Sequence, residues 1–458
     1  MDNSMKSRLA VGTSRIAKSE DGSITILALF FVLIAIVMGG VAIDFNKVIA
    51  ERTQLQIAAD TAAHAALYTR TKHDVMASQD QALATVSSLL PVSTFGSVAI
   101  TWADIEFGNW DRQSATFTAD MESNDAVRVS AEMSDIRGNP SRNFLLRIVG
   151  FDTFNVNVES VYSTYYPPCF TEGFVAELVV DIQSNNSFTD GFCIHSNDYV
   201  SLNQNNYFEP GTIVSMPNLN DLDMPKSGFE KNDGLQTALR SGAYRLRLLN
   251  DLPDIIDSFW TGEADHLPPY VYAGTPYTVS SSSLAVPDSN GNTRYKGTGL
   301  TPEHFEPNSV NRYSCPGSGK VTFEAGVYSN FVFVSDCEIK FSNGVMLEDV
   351  VIATTNSSVT SFSTPSGLSI GRDDNCAAGG GATLMTLGGF KAASSLNAFG
   401  GQILAIGDIQ FSANANGIQG VSFQSRGMID GTSNMDMGYC QNQGMENVYR
   451  APYFRTVK

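Results

Sequence analysis

The side chains in this sequence that are able to do chemistry are scattered, and each pattern they begin is left incomplete. Asp181 in VVDIQSN (179–185) opens a D-x-S-x-S-like arrangement, in which an aspartate and two hydroxyl oxygens hold a divalent cation. Gln183 and Asn185 stand where both serines belong, which reads as a strand end with polar corner residues. DSNGNTRYKGTG (288–299) starts like a calcium loop, with Asp288, Asn290 and Asn292 at alternate positions. Thr293 then replaces the sharp-turn glycine and Gly299 the bidentate glutamate, so an exposed turn is expected. His64, His73, His195, His266 and His304 have no H-E-x-x-H or other ligand spacing, and neither G-x-S-x-G nor a P-loop occurs. CIHS (193–196) reads as a strand whose Cys193 is a disulfide partner rather than half of a Cys/His dyad. No cofactor or metal is expected.

Six cysteines, Cys169, Cys193, Cys315, Cys337, Cys376 and Cys440, include no C-x-x-C pair and all lie beyond a long apolar run. An even number on the oxidising side of a membrane reads as up to three disulfides. Chain order suggests Cys169 with Cys193, Cys315 with Cys337 and Cys376 with Cys440. Sequence does not fix the pairing, and buried free thiols are the alternative.

The apolar run, Ser23 to Ile43, holds 21 residues without a charge. At about 1.5 Å per residue it forms roughly 31 Å of helix, the hydrocarbon thickness of a bilayer. A cleaved secretory signal is the main competitor, because Gly40-Val41-Ala42 is a small-x-small triplet. Against it, a signal core is shorter and does not flow into a continuing helix. A prepilin leader is disfavoured by Leu27, which occupies the place of that leader's fifth-position glutamate. Lys6, Arg8, Arg15 and Lys18 should keep residues 1–22 cytoplasmic. The chain carries a net charge of −18, which argues against nucleic-acid binding and against a basic membrane-docking patch.

Past the run, Val41, Phe45, Val48, Leu55, Ala59, Ala62 and Ala66 recur at helical steps, so one continuous helix with an alanine-rich face is expected. That face packs on its own domain or on a partner subunit. Helical character extends to about Leu90, before Pro91. Strands are expected in 98–108, 115–120, 126–133 and 154–166, with a short helix in SRNFLLRIVG ending at Gly150. Residues 44–166 thus read as a helix-led α/β stem, closed off by Pro167-Pro168.

Residues 169–458 read as a large all-β domain of short strands with Asn and Gly at corners. A right-handed parallel β-helix is favoured over a sandwich, although no strict repeat is visible. An insertion at about 226–316 is partly helical over 235–260. The fold class is α+β. Parallel β-helices include polysaccharide lyases and hydrolases, which cluster carboxylates on one face. Asp336, Glu338, Glu348, Asp349, Asp373, Asp374 and Asp408, with Arg372 beside two of them, are available, and a solvated acidic surface is the default reading.

GSITILALFFVLIAIVMGGVAIDFNKVIAERTQLQIAADTAAHAAL (22–67) resembles the N-terminal Tad domain of TadG-like proteins of bacterial tight-adherence, or Flp pilus, assembly systems. The likeness is carried by Gly22-Ser23, Asp44, Arg52-Thr53-Gln54-Leu55-Gln56 and the Ala58-Ala59-Asp60-x-Ala62-Ala63 run. Many such proteins continue into a von Willebrand A module, and this chain departs from that at Asp181. The resemblance implies a single-pass, non-enzymatic inner-membrane component, its bulk periplasmic or surface-exposed, that takes part in pilus assembly or surface attachment. Partners would be other pilus components through the membrane-proximal helix, the lipid bilayer, a second copy of the chain or a surface glycan, and no nucleic acid. Asp44 would cap or pair near the interface, and Asp60 would make a polar contact in the helical layer. The alternatives are a membrane-tethered polysaccharide-active enzyme and a carbohydrate-binding adhesin released by cleavage.

Overall fold

A computed structural model describes residues 21–90, 100–280, 286–287, 293–294, 299–315 and 319–458, except for the side chains of 21–23, 286–287, 293–294 and 414–416. The basic N-terminal tail, Pro91 and most of the calcium-loop-like stretch, including Asp288, Asn290 and Asn292, lie outside the described residues. The chain forms two compact units, residues 1–165 with 452–458, and residues 166–451.

The first unit is led by one helix, Asp21–Arg70, 50 residues long. Its first half is apolar and exposed, and the helix is long and apolar enough to cross a membrane. In its second half Leu55, Ala58, Ala59, Ala62, Ala63, Ala66 and Leu67 are buried. Alanine favours the helix and brings its backbone close to whatever covers it. The cover is the unit's own sheet: Phe107, Val127, Val129, Val156 and Val158 share a core with that face. Helical character continues to Leu89, in two pieces: the first helix stops at Arg70, and a second, Val75–Leu89, starts where the Asp74 carboxylate accepts a hydrogen bond from the Ala77 N–H at 2.8 Å. An N-cap aspartate holds a first turn in this way. The reversal brings Ala82 and Val86 into the same core.

The sheet has five antiparallel strands, in the order Thr116–Ala119, Ile105–Asp111, Ala126–Met133, Val156–Tyr165 and Tyr453–Thr456. Its last member comes from the end of the sequence, which the sequence reading leaves in the β-rich domain. The expected short helix at 141–150 is a two-residue strand, Ser141–Arg142, followed by one 3-10 turn, Leu146–Val149. Gly150 ends that turn with φ +91°, a left-handed conformation that glycine adopts without strain.

The second unit is a large β-rich body whose strands pair in parallel in an open 25-stranded sheet. Cys193 lies opposite Gly173 on one side and Ile213 on the other, a step of twenty residues each time. Val180–Ile182 pairs with Val200–Leu202, and Ser187–Phe188 with Asn206–Phe208, at the same step. Like residues therefore stack: Phe188 lies on Phe208 at 4.9 Å between ring centroids, and Phe174 on Phe423 at 5.4 Å. At the corners Asn185, Asn205 and Asn434 adopt φ near +62° to +64°, which asparagine tolerates best after glycine. Beside them, the Asn206 side chain accepts from the Asn186 N–H and the Asn232 side chain from the Asn206 N–H, an internal amide ladder that satisfies buried backbone.

Stacking order differs from chain order. Ser422–Ser425 pairs with Gly173–Ala176, so the first strands of the unit sit on its last ones. Between the two runs, residues 235–260 form two helices, Leu235–Ala238 and Arg247–Thr261. The longer one buries Leu248, Leu249, Leu252, Ile255, Ile256 and Phe259 at helical spacing.

Candidate functional site

The clearest built site is at the foot of the stem helix. Asp44 is fully buried, although it follows directly on the apolar run. Its carboxylate accepts hydrogen bonds from the backbone N–H groups of Phe144 at 2.7 Å, Leu145 at 3.0 Å and Leu146 at 2.7 Å. Those are the orphan donors at the start of the 3-10 turn, so one side chain caps a turn about a hundred residues away in sequence. Burial works against the charge. The three N–H donors, helped by Lys47, outweigh it, and the carboxyl titrates below the ordinary aspartate range. One turn earlier, a Cβ on Gly40 would lie 3.0 Å from Leu145 Cβ, while one on Gly39 would meet nothing.

Of the expected helix-packing residues, Leu55, Ala59, Ala62 and Ala66 are buried and Val48 packs at the edge of the same core. Phe45 is 58% exposed. The buried stripe runs through Gly40, Asp44 and Val48, so counting apolar residues alone sets the face one position off. Asp60 accepts from the Gln56 amide at 2.8 Å, a contact within the helix.

In the second unit, Cys169 is joined to Cys193, Cys315 to Cys337 and Cys376 to Cys440. Cys193 and His195, two apart on one strand, share a face, and it is the disulfide that removes the thiol from any dyad. His195 instead contacts Ser215 Oγ through Nδ1 at 2.7 Å and Asn197 Oδ1 through Nε2 at 3.0 Å. Sequence reading missed this Ser–His–Asn set because Ser215 meets His195 only through the parallel register. Ser215 is 4% exposed and His195 not at all, and the Tyr244 ring packs edge-on against the imidazole at 4.8 Å. Asn197 also accepts from the Tyr244 N–H at 2.9 Å and donates to the Tyr244 carbonyl at 2.6 Å, so the buried set braces the segment around Tyr244. Burial holds the imidazole below the ordinary histidine value, against the pull of Asn197 and Glu177.

Register also brings Asp430 beside Asp181, with Ser201 next in line and Asp223 bridged to it. Burial and the Asp430 charge push the Asp181 carboxyl upward. Elsewhere Glu338 pairs with Lys320 at 2.8 Å, Arg372 pairs with both Asp374 at 2.8 Å and Glu348 at 3.6 Å, and Asp349 accepts from the Gly380 N–H at 2.9 Å. Among the described residues, the grouping of Cys315, Asp336 and Cys337 has both its sulfurs in a disulfide and offers a metal no thiolate.

A membrane-length helix capped into a small antiparallel sheet defines the class. Residues 22–78 match the Flp pilus-assembly TadE/G-like family model and residues 52–161 the Tad-like Flp pilus-assembly model, Tad_C, which makes this a TadG-like protein of the tight-adherence system. These domains indicate a structural pilus component rather than an enzyme, and with the apolar helix they fit a membrane-anchored protein. Residues 173–441, more than half of the chain, match the domain of unknown function DUF7867, and the chain belongs to that family. No curated protein and no solved structure matches the chain.

Proposed function

We propose that this protein is an inner-membrane-anchored accessory component of tight-adherence pilus assembly that contributes to surface attachment. Residues 1–22 are cytoplasmic, 23–43 span the membrane, and the chain from 44 onward is periplasmic or surface-exposed. The twenty-residue parallel ladders support reading residues 169–451 as a right-handed β-helix, with its insertion at about 226–316, whose side wall meets protein or glycan.

The observation that carries this reading is the continuity of the helix Asp21–Arg70, from an exposed apolar half into an alanine half seated on the unit's own sheet. Such a rod transmits position from bilayer to stem. Because its alanine face is filled, contact with other pilus components falls to the exposed flank beside it. Val41, Phe45, Ile49 and Ile57 lie there at helical steps, each about half exposed or more.

Photo-crosslinking of the full-length protein in its native membranes, with benzoylphenylalanine at Phe45 or Ile49, tests this. Crosslinks to other pilus-assembly subunits are expected from both positions. Recovery of the native protein as a soluble species lacking the span, or crosslinks to no pilus component, overturns the reading.

A further inference from the structure

The loop between the short strands Ser141–Arg142 and Thr153–Phe154 has the sequence NFLLRIVGFD. Leu146 and Asn143 point inward and are buried. Phe144, Ile148, Val149 and Phe151 point outward, at 69%, 64%, 44% and 63% exposure. Four large apolar side chains facing out of one short loop mark a contact surface.

The position of the loop says what the contact is. Its backbone is fastened to Asp44 by three hydrogen bonds and lies against Gly40. Residues 40–43 are the last turn of the apolar run, so at about 1.5 Å per residue the loop is held within roughly 5 Å of the point where the hydrocarbon ends. Arg142 and Arg147, both exposed, flank the apolar side chains. A loop with an apolar tip and guanidinium groups beside it suits the boundary between acyl chains and anionic headgroups, where the aliphatic stems lie along lipid and the charges reach phosphate.

We propose that the loop 144–151 is a second membrane contact, inserted into the headgroup boundary of the leaflet from which the stem helix emerges. This rests on the anchoring reading above. The contact fixes the rotation of the stem about the helix axis, which a single span alone leaves free.

Full-length protein in phosphatidylethanolamine–phosphatidylglycerol vesicles, with Trp102, Trp110 and Trp260 replaced by Phe, gives a silent background for single probes. Ile148→Trp and Phe151→Trp report the loop, and Phe30→Trp reports the span. Lipids brominated near the headgroup should quench the loop probes by about half or more, and lipids brominated at the bilayer centre should quench them little, with the reverse for Phe30→Trp. Loop probes unquenched by either lipid while Phe30→Trp is quenched would overturn the proposal and leave the anchor standing. The same holds if the loop probes are shielded from both lipid and aqueous acrylamide, since a protein partner then covers the loop. If Phe30→Trp is also unquenched, the anchoring reading fails and the proposal with it.

Discussion

The Asp44 carboxylate accepts the Leu146 N–H at 2.7 Å, and the two residues are 102 positions apart in the chain. Loss of that carboxylate leaves three N–H donors in a site the side chain now fills. Asp44→Ala should raise amide exchange at residues 144–146 by roughly tenfold or more, while amides of the helix Val75–Leu89 change little. Asp44→Asn should fall between, because an amide oxygen accepts without charge. Because the folded carboxyl titrates low, its contribution is complete above the ordinary aspartate value and is lost as pH falls through the depressed one.

Gly40 and Gly39 form an internal control. A side chain at position 40 meets Leu145 at 3.0 Å, and one at position 39 points into open space. Gly40→Leu should displace the loop and reproduce the exchange pattern of Asp44→Ala, whereas Gly39→Leu should leave it unchanged. Equal effects from the two substitutions would show that the contact at Leu145 does not hold the loop.

His195 should give the second unit a stability that depends on mildly acidic pH. Its folded value lies below the unfolded value near 6.5. Between those two values the unfolded chain binds more protons, so stability is complete above about pH 6.5 and declines as pH falls. Thermal melts from pH 8 down to 5 should show the decline, and His195→Gln should flatten it relative to the parent protein. Asp181 and Asp430, with raised values, titrate in both proteins and cancel in that difference.

What could be read from the sequence divides along a physical line. Features that depend on near neighbours are visible: the apolar run, the alanine face and the helical stretch at 235–260, while chain order only suggests the cysteine pairing. Features created by return of the chain are not. Asp430 and Asp181 lie side by side only because the last strands of the second unit stack beneath its first, and the twenty-residue step that joins His195 to Ser215 gives way to one of 25 at the next strand, so no strict repeat shows. Phe45 lies off the buried stripe because that stripe continues through Asp44 and Gly40, a charge and a glycine that no hydrophobic count includes. An aspartate one step beyond an apolar run was itself a signal, since a charge there demands partners.

The disulfides should contribute unequally. Cys376 and Cys440 close 64 residues, against 24 for Cys169–Cys193 and 22 for Cys315–Cys337. Each should be worth about 2–4 kcal/mol, and chain entropy gives the longest loop about 1 kcal/mol more. Denaturant titration of the three double Cys→Ser variants should therefore find the lowest midpoint for the 376/440 pair.

The final strand should govern the stem sheet despite its four residues. Tyr453, Phe454, Arg455 and Thr456 pair antiparallel with Tyr165, Thr164, Ser163 and Tyr162. Without them the strand Val156–Tyr165, which also covers the alanine face, becomes an edge with open N–H and C=O groups. Phe454 adds an edge-on contact with His64 at 5.8 Å, Arg455 lies over the Tyr165 ring at 5.1 Å, and Lys458 pairs with Glu159 at 3.0 Å. Phe454→Ala, at a half-buried site, should cost about 1 kcal/mol. Removal of residues 452–458 should cost more, expose the amides of 161, 163 and 165, which face the lost strand, to exchange and promote self-association through the new edge. Protection at 163 and 165 that survives the deletion would show that the strand is carried by the sheet rather than supporting it.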